Sequence, residues 1–273
     1  MRQRIITGLL AIVAAAVILY VRTWLAFFSV TALMLGGQWE EFTAFERAGH
    51  RPVRWPAMLL AVLIVPGFHF LGIPVIAPLL ATGTLLALLV ICMRKEPEWI
   101  DAAVSLYPIY TIFFPLALLL LLVRSDFQPY GLQLIILVLI IAYFGDTAAY
   151  FVGSFLGRHK LCAAVSPKKT VEGAVAGLVA SVGGAMLFVF CIGRFSHYDS
   201  EISLLGAAAL GLLGGVAGQV GDLTASLVKR HCGVKDFGAF FPGHGGVMDR
   251  IDSLLFSLMV VCSYVLLVAE RTV

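Results

Sequence analysis

Long apolar runs alternate with short polar punctuation along the whole chain, and this pattern predicts helices. The runs fall at about residues 5–21, 24–38, 57–72, 74–93, 103–123, 132–156, 171–193, 203–221 and 253–270. An α-helix needs roughly 20 apolar residues to cross the ~30 Å hydrocarbon core. Inside lipid, a helix satisfies its own backbone, so apolar runs of this length read as spanning helices. The second and third runs are short, and merging two short helices into a re-entrant pair would reduce the count to seven. Pro66, Pro74, Pro78, Pro108 and Pro115 lie in or beside these runs and predict kinks. The expected fold is an all-α polytopic membrane protein with about nine transmembrane helices (range seven to nine). It forms a single transmembrane domain over 1–273.

Composition agrees. Hydrophobic residues make up 60% of the chain and charged residues 13%, against about 25% charged in an ordinary soluble domain. The first 21 residues combine a basic start with an apolar run. No small-residue cleavage site follows, so they read as a first membrane helix and not a cleaved signal. Cys92, Cys162, Cys191, Cys232 and Cys262 are scattered, with no CxxC pair. They read as reduced thiols, not as a disulfide frame or zinc site.

The placement of charge orients the chain. With the amino terminus inside, all but Arg22, Arg124, Arg194 and Arg271 of the 19 Lys and Arg fall in inside segments, as the positive-inside rule requires. The long polar segments 157–170 and 222–252 then both face the cytoplasm, which places any chemistry with a soluble reactant there. Segment 38–56 is also inside. Its "QWEEFTAFERAG" has helical apolar spacing and predicts a surface helix lying on the membrane.

The acids Asp146, Asp222, Asp249 and Asp252 sit at or near the cytoplasmic ends of apolar runs. A carboxylate reaching mid-membrane costs about 2.5–3.5 kcal/mol on insertion scales, so such residues face a partner. "FGDTAAYFV" (144–152) and "VGDLTASLV" (220–228) present Asp146 and Asp222 in the same local pattern. Asp249 and Asp252 stand at i,i+3 on one helix face. Hard oxygen ligands grouped in this way suit Mg²⁺, which prefers carboxylates, water and substrate phosphates.

Phosphate-binding groups accompany the acids. "FPGHGG" (241–246) places Gly243, Gly245 and Gly246 before the helix that carries Asp249, so that backbone N–H groups can face an anion. The glycines alone also fit an ordinary loop-to-helix turn, and His244 fits either a phosphate contact or a polar loop position. "SPKKTVEG" (166–173) reads as a helix start, with Ser166 as N-cap and Pro167 at the first position. Lys168 and Lys169 would then sit in the first turn, where cations oppose the helix dipole unless an anion binds. Thr170 joins this candidate phosphate-binding stretch. Glu172 follows, able to pair with a lysine or to help hold a metal. Segment 157–170 carries Arg158, Lys160, Lys168 and Lys169 and no acid, an electropositive lip suited to a polyphosphate. Together these features predict phosphoryl or nucleotidyl transfer onto a lipid, driven by positioning and charge neutralisation. No Walker motif, Ser-His-Asp set or His-x-x-x-His pair is present.

Residues 226–252, "SLVKRHCGVKDFGAFFPGHGGVMDRID", closely resemble the C-terminal motif of the phosphatidate cytidylyltransferases, or CDP-diglyceride synthetases, of bacterial type. Ser226, Lys229, Arg230, Lys235, Asp236, Gly238, Pro242, His244, Gly245, Gly246, Asp249, Arg250 and Asp252 fall where that pattern places them. "SPKKTVEG" and "AYFGDTAAYFVG" (142–153) resemble further blocks of the same family, so the likeness covers the C-terminal half well. The N-terminal half agrees mainly in hydropathy.

The resemblance implies the reaction CTP + phosphatidic acid → CDP-diacylglycerol + pyrophosphate. It implies Mg²⁺, with K⁺ as a second cation, a multi-pass location in the bacterial inner membrane, a homodimer, and no nucleic-acid partner. Residues 126–273 are then the catalytic half, and 1–125 mostly scaffold and lipid-facing helices. Asp222, Asp249 and Asp252 are expected to hold metal, with Asp146 and Glu172 as further candidates. Lys169 and Arg250 are expected to act in catalysis beside the acids. Lys168, Lys169, Lys229, Arg230, Lys235, His244, Gly245, Gly246, Ser166 and Thr170 are expected to bind substrate phosphates. Two rival readings are a CTP-dependent lipid-alcohol kinase, which would transfer the γ-phosphoryl group, and an ion-coupled transporter. The complete motif argues against the kinase. The clustering of acids at one membrane face argues against the transporter.

Overall fold

The computed structural model describes residues 24–123, 130–195, 202–240 and 245–268. The predicted helix at 5–21 lies outside them. The described helices are α1 (Trp24–Arg47), α2 (Arg54–Leu71), α3 (Ile76–Cys92), α4 (Trp99–Pro108), α5 (Phe114–Val123), α6 (Tyr130–Leu156), α7 (Val171–Phe195), α8 (Leu204–His231) and α9 (Met248–Val268). A 3₁₀ turn (Ile73–Val75) leads into α3, and a π-helical turn (Ile109–Phe113) joins α4 to α5. Among the described residues, seven helical segments are long and apolar enough to cross a membrane, with α4 to α5 counted as one. The helical, multi-pass expectation is met at that level.

Three local expectations change. Segment 38–47 is not a separate surface helix but the second half of α1. Met34, Gln38, Glu41, Phe42 and Phe45 are all buried, and they recur at helical spacing on one face, so the charges do not end the helix. Helix α8 runs ten residues beyond the expected end at 221, because "DLTASLVKRH" keeps Ala225 and Val228 on the buried face. It stops at Gly233, whose φ of 65° suits a left-handed C-terminal cap. The 166–170 stretch is not the first turn of a helix. It is a strand, β2 (Ser166–Thr170), paired antiparallel with β1 (Lys160–Cys162). Among the described residues the fold therefore carries one small hairpin beside its helices.

The chain forms two compact units. The first holds Met1–Ser125 and Lys229–Ile251. Its most enclosed helical segment is α4 to α5, with 72% of its apolar window buried. The π-turn there ends two residues before Pro115, whose ring clashes with the carbonyl four residues back and lacks an N–H. Buried Asp101 on α4 accepts from the Arg51 amide at 2.7 Å and pairs with Arg94 at 2.9 Å, fastening the turn after α1.

The second unit holds Asp126–Val228 and Asp252–Val273. Here small residues let helices touch backbone to backbone. A Cβ on Gly177 of α7 would stand 2.9 Å from the Gly145 carbonyl of α6. A Cβ on Gly211 of α8 would stand 2.8 Å from the Ser181 carbonyl of α7. Ser181 donates to the Ile141 carbonyl at 2.7 Å, Gln219 to Ala174 at 2.8 Å and Ser257 to Gly214 at 2.9 Å. Small-residue contacts with interhelical hydrogen bonds are how helices associate in lipid, where hydrophobicity gives no drive.

Candidate active site

In the second unit the hairpin positions the bases. Thr170 caps α7, accepting from the Gly173 amide at 3.1 Å. Glu172 folds back onto the start of the hairpin. Its carboxylate accepts from the amides of Arg158 (3.1 Å) and His159 (3.2 Å) and lies 2.6 Å from His159 Nδ1. Glu172 thus anchors the hairpin and has no lysine partner among these contacts. Along β2 the side chains alternate. Lys168 is exposed, while Lys169 turns inward and pairs with Asp222 of α8 at 2.5 Å. Because the lysines lie on a strand, the helix-dipole argument for an anion beside them does not apply. Ser166 opens β2 opposite Cys162.

Asp146 lies within α6 and accepts from Ser253 Oγ of α9 at 2.8 Å. It is close enough to Asp222 and Lys169 to feel both charges. Asp252 is buried, and its Oδ1 accepts from the Ser253 amide at 2.8 Å. A small cavity beside these residues is lined by the polar groups of Asp146, Ser181, Gln219 and Ser257. Arg158, Lys160 and Lys168 supply exposed positive charge.

In the first unit Asp249 is the hub. Its side chain is 4% exposed, and Oδ1 pairs with Lys229 Nζ at 2.9 Å. Oδ2 accepts from the amides of Phe237 at 2.9 Å and Gly246 at 3.0 Å. Lys229 also lies 5.3 Å from the centroid of the Phe237 ring, within reach of a cation–π contact. Gly245 has φ of 81°, a conformation that favours glycine.

The amides of the glycine turn are not turned toward a phosphate. Gly246 bonds Asp249, while Val247 and Met248 each donate to Glu40 of α1 at 3.0 Å. Carboxylates of the chain itself therefore occupy the anion-binding start of α9. Arg230, Lys235 and Arg250 are exposed cations. His244 lies outside the described residues.

Glu40 escaped the sequence reading. Its partners are more than 200 residues away, and its own neighbourhood reads as an ordinary polar helix face. Burial raises its pKa most, with the charge of Asp249 adding to that, while the two amide hydrogen bonds pull it down; the net direction is upward.

The donors are aspartate carboxylates and serine hydroxyls, hard oxygen groups that fit Mg²⁺ rather than a soft metal. Among the described residues no three His, Cys, Asp or Glu side chains gather into a metal cluster. A Mg²⁺ ion commonly uses only one or two carboxylates and takes its remaining ligands from water and substrate phosphates.

Helices long and apolar enough to span a membrane define the class, a helical multi-pass membrane protein. Residues 2–268 match the sequence profile of the cytidylyltransferase family, and the chain belongs to that family. It is 41% identical over 135 residues to a phosphatidate cytidylyltransferase of Staphylococcus haemolyticus (strain JCSC1435), covering 50% of this chain and 48% of that protein. It is 42% identical over 130 residues to one of Staphylococcus aureus (strain COL), covering 47% of each. One of Brucella suis biovar 1 (strain 1330) is 38% identical over 157 residues, covering 58% of this chain and 55% of that protein. The matches span about half the length of these curated relatives.

Proposed function

We propose that this chain transfers the cytidylyl group of CTP to phosphatidic acid, giving CDP-diacylglycerol and pyrophosphate in phospholipid synthesis. Family membership, joined to relatives that carry the name phosphatidate cytidylyltransferase, is the observation that carries this reading. The site chemistry supports it: both reactants are anionic, and the chain offers lysines and arginines beside carboxylates.

A phosphatidate oxygen attacks the α-phosphorus of CTP in line, and pyrophosphate leaves. Asp222, Asp249 and Asp252 are the residues we assign to hold Mg²⁺, with Asp146 and Glu172 as further candidates. Mg²⁺ supplies charge neutralisation and orientation of the polyphosphate. The oxygen donors beside Asp146 also suit K⁺ as a second cation. Lys169 and Lys229 hold the carboxylates in place and neutralise phosphate charge, aided by Arg250, Lys168, Arg230 and Lys235. Ser166, Thr170 and His244 complete the proposed phosphate-binding set. Phosphatidate is already ionised, so no general base is required. We place the amino terminus and the active site on the cytoplasmic side of a bacterial inner membrane, in a homodimer.

The test uses detergent-purified protein with phosphatidic acid, Mg²⁺ and CTP labelled separately at the α- and γ-phosphates. The α label is expected in the lipid phase, with the γ label released as pyrophosphate. The γ label in lipid, with CDP released, would instead define a lipid kinase. Neither label in lipid would return the transporter reading.

A further inference from the structure

We propose that Glu40 is a positioning residue for Asp249. This rests on the assignment of Asp249 as a metal-holding carboxylate.

The first amides of a helix have no intrahelical partner. A side chain of the helix's own N-cap residue ordinarily satisfies one of them. Here the residues before Met248 are Gly245, Gly246 and Val247, none of which has a polar side chain. The cap comes instead from α1. Glu40 Oε1 accepts from Val247 and Oε2 from Met248, both at 3.0 Å. A carboxylate with one oxygen on each of two successive amides fixes both the height and the rotation of the first turn. Its charge also favours the helix N-terminus. Asp249 is the next residue after these two amides, so the clamp sets the direction in which its side chain leaves the helix.

The glycines give the second line of argument. A Cβ at Gly238 or at Gly246 would run into the Glu40 carboxyl group. These two positions are bare where Glu40 lies, so the glycine-rich turn acts as a cradle for a carboxylate of the chain itself. Asp249 meanwhile reaches Lys229, Phe237 and Gly246. Glu40 and Asp249 thus lace the turn together from two sides. Glu40 acts through Asp249 and need not touch a reactant. Partners that orient a metal ligand typically change metal affinity or activity by about 10–100-fold when removed.

The test uses the full chain in detergent, with Glu40→Gln, Glu40→Ala, Gly246→Ala, the Glu40→Ala/Gly246→Ala double variant and Asp249→Asn. Binding of Mn²⁺, as a probe for the Mg²⁺ site, is followed by electron paramagnetic resonance without nucleotide. Glu40→Ala is expected to weaken Mn²⁺ binding about 10–100-fold and to raise the Mg²⁺ needed for half-maximal turnover by a similar factor. Maximal turnover at saturating Mg²⁺ should return to within about threefold of wild type. Glu40→Gln keeps an acceptor oxygen and should fall between wild type and Glu40→Ala. It also serves as the test variant if Glu40→Ala does not fold. In thermal melts, Gly246→Ala should lower the midpoint less when Glu40 is already Ala, because the clash is gone.

Wild-type Mn²⁺ affinity in folded Glu40 variants would overturn the proposal, provided Asp249→Asn has lost it. Wild-type affinity in Asp249→Asn would instead overturn the metal assignment on which the proposal rests. Additive melting effects would remove the cradle argument.

Discussion

Lys229 and Asp249 meet at 2.9 Å from different helices, with side chains only 13% and 4% exposed. A pair this enclosed is poorly screened, and each charge depends on the other. Asp249 also holds two backbone amides. We predict that Asp249→Asn loses turnover by about 10²–10³-fold or more, as removal of a charge-stabilising group does. Asn retains an oxygen for the amides but loses the charge facing Lys229, a loss of about 1.5–3 kcal/mol. Label transfer from α-labelled CTP and a thermal melt separate these two effects. Near-normal turnover in a folded variant would remove Asp249 from the reaction centre.

Lys169 and Asp222 make a contrasting pair. They lie 2.5 Å apart with side chains 26% and 32% exposed. Screening at that exposure leaves the pair about 0–1 kcal/mol of stability. Lys169→Met should therefore leave the melting midpoint almost unchanged while lowering turnover about 10²-fold. A large drop in melting midpoint, with turnover per folded molecule intact, would make Lys169 a structural residue.

These two lysines mark what local sequence can convey. The apolar runs fixed most helix positions, because burial in lipid demands length and hydropathy alone. The start of α7 at Val171 followed from where its apolar run begins. The strand before it was not legible. "SPKK" satisfies local helix-start rules, and the competing hairpin depends on pairing with Lys160–Cys162. The helical character of 38–47 is legible from its apolar spacing, but its continuity with the first half of α1 is not, because Glu40, Glu41, Glu46 and Arg47 look like a span's end while the buried face is set by packing. Asp146, Asp222, Asp249 and Asp252 stood out as acids in apolar surroundings. Glu40 did not, since its role arises from amides more than 200 residues away.

Glu41 gives a pH-dependent expectation. It is fully buried beside Gln38, and neither side chain has a hydrogen-bond partner for its polar atoms. Burial raises its pKa from 4.5 to about 8, with the charge of Glu40 adding to the shift. The nearby Thr111 hydroxyl acts in the lowering direction, but it donates to the Tyr107 carbonyl at 2.8 Å. The folded chain thus keeps a proton that the unfolded chain releases above pH 4.5. The unfolded state then binds fewer protons, so this group lowers stability as pH rises from 4.5 toward 8. Glu41→Gln removes that slope. Its melting midpoint should exceed wild type by a margin that widens across this range and levels off beyond it. The full effect is on the order of a few kcal/mol. Parallel melting curves for the two proteins from pH 5 to 9 would show that Glu41 is solvated or paired.

Gly145 tests the packing that carries Asp146. A Cβ there would stand 2.5 Å from Ser181 Oγ, while the Gly177 carbonyl lies 3.5 Å away. The clash is mainly with one hydroxyl, and that hydroxyl bonds the Ile141 carbonyl at 2.7 Å. Gly145→Ala should cost about 1–3 kcal/mol, typical of overpacking. It should also disturb the adjacent Asp146, so turnover falls with stability. Ser181→Ala removes the clashing oxygen and leaves a methyl group whose carbon is 3.9 Å from the new Cβ. The double variant Gly145→Ala/Ser181→Ala should therefore be more stable than the sum of its single changes, by about 0.5–3 kcal/mol of coupling. Melting midpoints of the four proteins decide it. Strict additivity would mean that α6 and α7 are not in contact at this crossing.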